Sequence, residues 1–452
     1  MKKFLPLCLA VTMTLTASAQ HSWKRYLKAE EPSVYIISVK EPDMSAKGGE
    51  MADAKALAHQ RSLDAKAAIA DHRKANRTGF QSVAEPSAIF TTNHNRASFA
   101  VGGFVAMRAS YSFDNAVGNI DMVPYDVPIA TSFASRQALG MDATTSRLYM
   151  RAIFNPKHCN HPIVIYFDTD FRGGAEGSYT PRLRSGYVSI AGLTFGRDVT
   201  TFCDLNAAPT TIDFQGPNAY NYNFSTVIRY EIPFLDNHMK AGVAAELPDV
   251  SGSYGESFTA VPQRVPDFPL YLQYMWGKNR QSHIRASAVL RNMYLYNDIR
   301  ESSTDLFGWG VQFSGNIHVT KMLQFFMNGV YGEGITPYIQ DLTGSGLDFT
   351  PNPLDASRIQ TMPMWGFQAA AQLNIIPNLF VSGGYSMVQI QHKNGYYAED
   401  QYRRGQYAFG NVFYCFSNRF HIAAEYLWAY RKNMNGEHNH ANRINLLFKY
   451  NF

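Results

Sequence analysis

The last ten residues, Arg443-Ile444-Asn445-Leu446-Leu447-Phe448-Lys449-Tyr450-Asn451-Phe452, constrain the fold more than any other stretch. Side chains along a strand alternate between its two faces, so Ile444, Leu446, Phe448 and Tyr450 share one face with the terminal Phe452. Arg443, Asn445, Lys449 and Asn451 share the other. The closing strand of an outer-membrane barrel needs this division, with lipid on one side and water on the other. The competing reading is the edge strand of a soluble sandwich.

The beginning of the chain points to the same compartment. Met1-Lys2-Lys3 is a basic start, Phe4 to about Thr14 is an apolar run too short to span a bilayer, and Ala17-Ser18-Ala19 before Gln20 is a small-residue cleavage site. Residues 1–19 therefore read as a secretory signal, and Cys8 lies inside the apolar run, which argues against a lipoprotein anchor. Beyond it remain Cys159, Cys203 and Cys415, an odd set without metal-like spacing or a disulfide framework. The formal charge of +5 includes Lys2 and Lys3, so the exported chain is too nearly neutral to imply nucleic acid. No later apolar run approaches the roughly twenty residues of a membrane helix, which excludes a helical membrane protein. Yet the chain is 14% aromatic and only 17% charged, the mixture given by strands of which every second residue meets lipid and whose ends carry aromatic girdles.

Three regions follow: the signal, a periplasmic segment over 20–97, and an outer-membrane β-barrel over 98–452. Within the second, residues 51–77 are rich in Ala, Lys, Asp, His and Arg, with Ala56, Leu63 and Ala70 recurring every seven residues. That spacing predicts a helix with weak coiled-coil character, the competing reading being a solvated single helix or a linker. Ser33 to Val39 reads as a short strand with no evident partner. From about Ser98 the pattern is alternation: Phe99, Val101, Gly103, Val105, Met107, Ala109, Tyr111 and Phe113 on one face, with Arg108 on the other. A strand that long suits a tilted membrane barrel better than a sandwich. Short connections centred near 155–158, 191–192, 233–237, 277–280, 319–321, 376–378 and 417–419 alternate with long ones near 114–144, 172–181, 203–222, 250–268, 298–303, 334–360, 394–400 and 432–439. This sorting predicts an all-β transmembrane barrel of about sixteen antiparallel strands, with both ends on the periplasmic side.

A barrel of that size has a wide lumen, and the sign of its inward charges then decides what passes. Arg108, Arg147, Arg151, Arg184, Arg229, Arg285 and Arg291 all fall opposite the lipid-like face of their strands, and Arg197 is added to this pore-lining set. Such a ladder attracts small anions, because arginine is permanently charged and forks onto carboxylate or phosphate. Asp168, Asp170, Glu246 and Glu425 also point inward, and a transverse field between acids and arginines selects by polarity and size. The competing reading is that these charges neutralise one another. The loop 203–222 carries Asp204 and Asp213 beside apolar Phe202, Ile212 and Phe214, which a solvated loop would not need. It is expected to fold inward as the constriction, the alternative being a rim loop that touches a neighbouring subunit.

Three stretches resemble a known family: Arg182-Leu183-Arg184-Ser185-Gly186-Tyr187-Val188, then Gly196-Arg197-Asp198-Val199-Thr200-Thr201-Phe202-Cys203-Asp204, and Pro209-Thr210-Thr211-Ile212-Asp213-Phe214-Gln215-Gly216-Pro217. They are similar to the DcaP-like trimeric porins, as are Gly102-Gly103-Phe104-Val105 and Ile228-Arg229-Tyr230. The resemblance implies a trimer of sixteen-stranded barrels, a periplasmic amino-terminal coiled coil, and passive uptake of small anions, often dicarboxylates. Ser185 and Gly186 depart from the family's His and Ala, and Arg197, Asp198 and Val199 from its Gln, Thr and Trp.

The leading expectation is thus a Gram-negative outer-membrane porin without cofactor. Its partners would be small anionic solutes, membrane lipid, the barrel-assembly machinery at the strand ending in Phe452, and two further copies of itself. An adhesin or structural anchor acting through the long loops is the alternative. A barrel enzyme is disfavoured, because His283, His318, His392, His421, His438 and His440 are scattered and no spacing unites one with a Ser and an Asp.

Overall fold

In a computed structural model of the chain, the residues described are 35–38 and 50–452, apart from Asn119, Cys159, Glu176 and Asn418. Residues 1–19, expected to be a signal, most of the region before the helix, and Cys159 lie outside them. Sixteen antiparallel strands close into a barrel, with Ala97–Asp114 first and His438–Asn451 last. The second strand is made of Ala138–Asp142 and Arg147–Phe154, both paired to the first. Then come Ile163–Asp170, Arg182–Ile190, Leu193–Val199, Phe224–Phe234 and Met239–Glu246. The eighth is again in two pieces, Phe258–Ala260 and Phe268–Trp276, both paired to the ninth, Ser282–Asn297. Ser302–His318, Leu323–Glu333, Pro363–Ile376, Leu379–Ile390, Tyr402–Cys415 and Phe420–Asn433 complete the wall.

Closure is made by the last strand on the first, with Ile444 opposite Tyr111, Phe448 opposite Met107 and Tyr450 opposite Val105. The terminal Phe452 exchanges both backbone hydrogen bonds with Gly103 at 2.9 Å. Gly103 is required there, because a Cβ would stand 2.3 Å from the Arg147 carbonyl oxygen and 2.9 Å from the Phe452 ring. Every backbone polar group in the hydrocarbon layer needs such a partner, which is why the sheet must close. The outward residues of successive strands, such as Phe99, Val105, Phe167, Ile228, Leu272, Phe313 and Leu446, are exposed and apolar, as a lipid-facing belt must be.

One long α-helix, Glu50–Lys74, is present among the described residues, and its carboxyl-terminal turns enter the barrel mouth beside the start of the first strand. Ala68 packs on Ile89 and Ala100, and Ala100 lies on the inward face of the first strand. The His72 Nε2 is 3.1 Å from the Ser98 hydroxyl, and Asp71 accepts from the side chains of Asn95 and Asn155 at 2.8 and 3.1 Å. The expected seam of Ala56, Leu63 and Ala70 faces outward and is exposed. Beyond the helix, Ala88–Thr91 pairs antiparallel with Ser98–Val101 and thereby extends the sheet below the end of the last strand. The short strand Tyr35–Ser38 finds its partner here, running parallel to Ala88–Thr91.

Candidate functional site in the barrel lumen

The segment joining the fifth and sixth strands, residues 200–223, lies inside the barrel, and polar side chains of the wall hold it along its length. Glu246 accepts from the Thr200 hydroxyl and the Thr201 amide, each at 2.6 Å. Further along, the Gln368 amide donates to the Ala207 carbonyl at 2.6 Å and Asn411 to that of Thr210 at 3.0 Å. The Glu425 carboxylate accepts from the amides of Ile212 and Asp213 at 2.9 and 2.7 Å. Asn328 donates to the Ala219 carbonyl at 3.0 Å, and the Ala219 amide donates to the Ser386 hydroxyl at 2.9 Å. Buried backbone groups need partners, and a loop crossing a lumen must find them on the wall.

The loop acids are anchors of the same kind. Asp213 accepts from the Met122 amide and the Tyr407 hydroxyl, both at 3.0 Å. Asp204 accepts from His283 at 2.8 Å and from the Ser314 hydroxyl at 2.7 Å. Burial works to raise this carboxyl, but the His283 and Ser314 bonds and the nearby Arg285 charge outweigh it and hold it below the ordinary range. A histidine, an aspartate and a serine therefore do meet, against the expectation drawn from their spacing. The aspartate stands between the other two, so no base reaches the serine and the group ties loop to wall. Cys203 is buried in the same loop, where burial pushes its thiol up to about 12 and leaves it unreactive at neutral pH.

Seven of the eight arginines assigned to the lumen point into it. Arg108 pairs with Asp121 at 3.1 Å and Asp142 at 3.3 Å; the Nε of Arg147 donates to Asp168 at 3.1 Å. Arg184 reaches Asp170 at 2.8 Å and the Tyr222 hydroxyl at 2.6 Å. A bulge in the fourth strand shifts its register between Asp168 and Thr169, so that both Arg184 and Ser185 are buried. Arg229 pairs with Asp198 at 2.6 Å, and Arg291 with Asp267 at 3.0 Å and Asp348 at 3.2 Å. Arg151 donates to the His72 carbonyl at 2.9 Å and to the Asn76 side chain at 3.0 Å. Arg285 donates to the Thr201 carbonyl and stacks 3.6 Å from the Tyr271 ring centre.

Arg197 is a correction. In the fifth strand Thr194 and Asp198 are buried and Leu193 and Phe195 exposed, with Val199 buried where the strand runs into the inward loop. Arg197 shares the parity of Leu193 and Phe195, so it stands on the outward face, and its Nε donates to the Leu183 carbonyl at 3.2 Å. The inward position belongs to its neighbour Asp198, which Arg77 and Arg229 both reach at 2.6 Å.

A second insert enters from the end of the barrel where the helix lies. Residues 75–84 follow the helix into the lumen beside the second, third and fourth strands. Arg147 donates to the Gln81 carbonyl, and the Tyr149 hydroxyl to that of Ala84 at 2.8 Å. Two cavities flank this insert. One, of about 350 Å³, has Arg108, Arg147 and Lys449 on its walls against a single carboxylate, Asp213. The other, of about 300 Å³, has Arg77, Arg229, Lys240 and Arg285 against Asp204 and Glu231. Among the described residues no cluster of His, Cys, Asp and Glu is arranged to hold a metal ion.

This barrel has known counterparts. The crystal structure of the outer membrane channel DcaP of Acinetobacter baumannii superposes with a TM-score of 0.68 at 21% identity, covering 80% of this chain and 99% of that one. OmpT, an outer membrane protein of Vibrio cholerae, superposes at 0.50 with 11% identity, over 80% of this chain and 99% of its own; its trimer form gives 0.50 at 10% identity, over 79% and 99%. At these identities the likeness shows the fold. Among curated proteins none matches. Residues 87–452, which include the whole barrel, match the family described as DcaP outer membrane protein. The chain belongs to that family, and its place is the outer membrane of a Gram-negative bacterium.

Proposed function

We propose that the barrel is a passive diffusion channel for small hydrophilic solutes that prefers anions of carboxylate type, with the segment 200–223 as its constriction. The observation that carries this reading is the balance of charge on the two cavity walls, where cations outnumber carboxylates in both. Ion pairs of Arg108 with Asp121 and Asp142, of Arg147 with Asp168, of Arg77 and Arg229 with Asp198, and of Lys240 with Glu231 take up part of that charge. Arg151, Arg285 and Lys449, however, have no carboxylate within ion-pair distance among the described residues, and the latter two line the cavities. Glu246 and Glu425 also point inward, but both are buried beneath the loop and occupied by its donors. Three copies would assemble as the trimeric relatives do, the exposed helix seam of Ala56, Leu63 and Ala70 lying free to meet its copies.

Reversal potential across a planar bilayer under a salt gradient tests the reading. The mature protein should favour the anion, and replacing Arg285 and Lys449 together by Gln should move the potential towards cations and slow entry of small carboxylates more than of sugars. An unchanged potential at low salt would remove those side chains from the pathway. A second reading, a surface anchor or adhesin, draws on the exposed tips Phe133 and Leu354 of the loops after the first and eleventh strands. A correctly folded barrel that stays electrically silent in every variant would favour it.

A further inference from the structure

We propose that residues 72–84 are a self-supplied plug that narrows this channel and holds it at low conductance, and that full conduction requires the plug to leave its seat. The inference rests on the reading of the barrel as a diffusion channel.

The seat is built from both the wall and the inward loop. On the wall side, Arg151 holds the end of the helix at the His72 carbonyl, Tyr149 holds the Ala84 carbonyl, and Arg147 and Arg184 converge on Gln81, one on its carbonyl and the other on its side-chain oxygen at 3.1 Å. On the loop side, the Phe80 amide donates to the Leu205 carbonyl at 2.6 Å, and the Gln81 side chain donates to the Phe214 carbonyl, also at 2.6 Å. The Thr78 hydroxyl meets the Asn206 side chain at 3.0 Å. The Phe80 ring packs edge-on against Tyr220 and Tyr222, with centres 5.2 and 5.1 Å apart. At Gly79, where φ is +110°, a Cβ would fall 2.2 Å from the Leu205 carbonyl oxygen, so the chain passes there only because the residue is glycine.

Loop and segment thus meet across the lumen, the loop held by the seventh and ninth to fifteenth strands and the segment by the first to fifth, the last through the Arg77 to Asp198 ion pair at 2.6 Å. The insert is also the partition between the two cavities, since residues 79–84 line one and 76–78 the other. The arginines that hold it are the ones an anionic solute would seek, and carbonyl and side-chain amide oxygens of the segment take donors that such a solute would use. The segment binds its seat by hydrogen bonds, one aromatic anchor and the Arg77 to Asp198 ion pair, and contributes no strand to the closed sixteen-stranded wall. It can therefore leave without opening the sheet. The helix that leads into it is exposed along Ala56 to His59, which gives a handle on the periplasmic side.

Single-channel recording of the full mature protein tests this, comparing it with Gly79→Ala and Phe80→Ser, with heat-modifiable gel mobility as the check that the barrel is intact. Both variants should conduct several-fold more than the parent. A third protein carries Thr78→Cys and Asn206→Cys on the Phe80→Ser background, joined by a short thiol cross-linker. It should return to the parent's low conductance when linked and open when left unlinked. Equal conductance of parent and variants, with intact barrels, would overturn the plug while leaving the channel reading standing. Silence of all of them would overturn the channel reading and the plug with it.

Discussion

Glu425 illustrates how much of this interior depends on single side chains. Its carboxylate takes the amides of Ile212 and Asp213 and also the Asn411 side chain, at 3.0 Å. A buried amide left without a partner costs about 1–3 kcal/mol, so Glu425→Ala should destabilise the loop arc 210–214 by a few kcal/mol. The expected outcome is a lower temperature of heat-modifiable mobility in detergent, with Glu425→Gln losing less because it keeps one acceptor. An Ala variant as heat-stable as the parent would mean that the loop finds other partners. The inward direction of Arg147, Arg151 and Arg291 was legible in the sequence, because a two-residue period fixes parity along any regular strand. Their partners were not legible. The Arg147 to Asp168 pair and the His283, Asp204 and Ser314 group depend on register between strands and on a loop path, which no local spacing encodes. Arg197 went astray for a related reason, since a cation beside an aspartate can be assigned to either face until parity is anchored by Leu193 and Phe195.

Among the elements, the strands and their turns were the most readable, and the inserts the least. The terminal strand announces itself by its alternation, and the structure gives Phe452 a definite task in pairing with Gly103. Deleting Phe452 should lower the amount of protein in the outer membrane and increase periplasmic degradation, and Gly103→Val should do the same by blocking that pairing. An undiminished membrane yield in both would detach the last residue from barrel closure. The seating of residues 75–84 in the lumen left no trace in periodicity, because a segment held by carbonyl contacts needs no apolar pattern. Asp341 joins three elements, taking the Tyr125 amide at 3.1 Å, the Asn218 side chain at 3.2 Å and the Tyr402 hydroxyl. Burial raises its carboxyl to about 6, with the Asp126 charge adding to the shift and those three donors opposing it. The folded state then keeps a proton that the unfolded chain releases near 4, so this contribution is full below about pH 4 and is lost as pH rises through about 6. Hydrogen exchange at the Tyr125 amide, corrected for intrinsic rate, should accordingly be faster at neutral than at mildly acid pH. Asp341→Asn should remove that dependence; if the dependence persists, another group controls the junction.

At the scale of the whole molecule, the formal charge of +5 says little about what the channel admits, because charge acts locally in a low-dielectric wall. A cavity of about 350 Å³ would be about 9 Å across if spherical, comparable to the Debye length of about 8 Å at physiological salt. Lys449 on such a wall can therefore bias the full width of the passage, whereas charges on the extracellular loops are screened from it. The two inserts sharpen this effect by dividing a wide lumen into narrow spaces. Selectivity should then depend steeply on ionic strength. The reversal potential should report strong anion preference in dilute salt and weak preference near 1 M, where the Debye length shortens to about 3 Å. The Gly79→Ala channel, with its plug unseated, should conduct more and yet discriminate less, since a wider space leaves more of its section beyond reach of the walls. Selectivity that is constant with salt would locate the filter in direct contacts with a bound ion, where screening has no room to act.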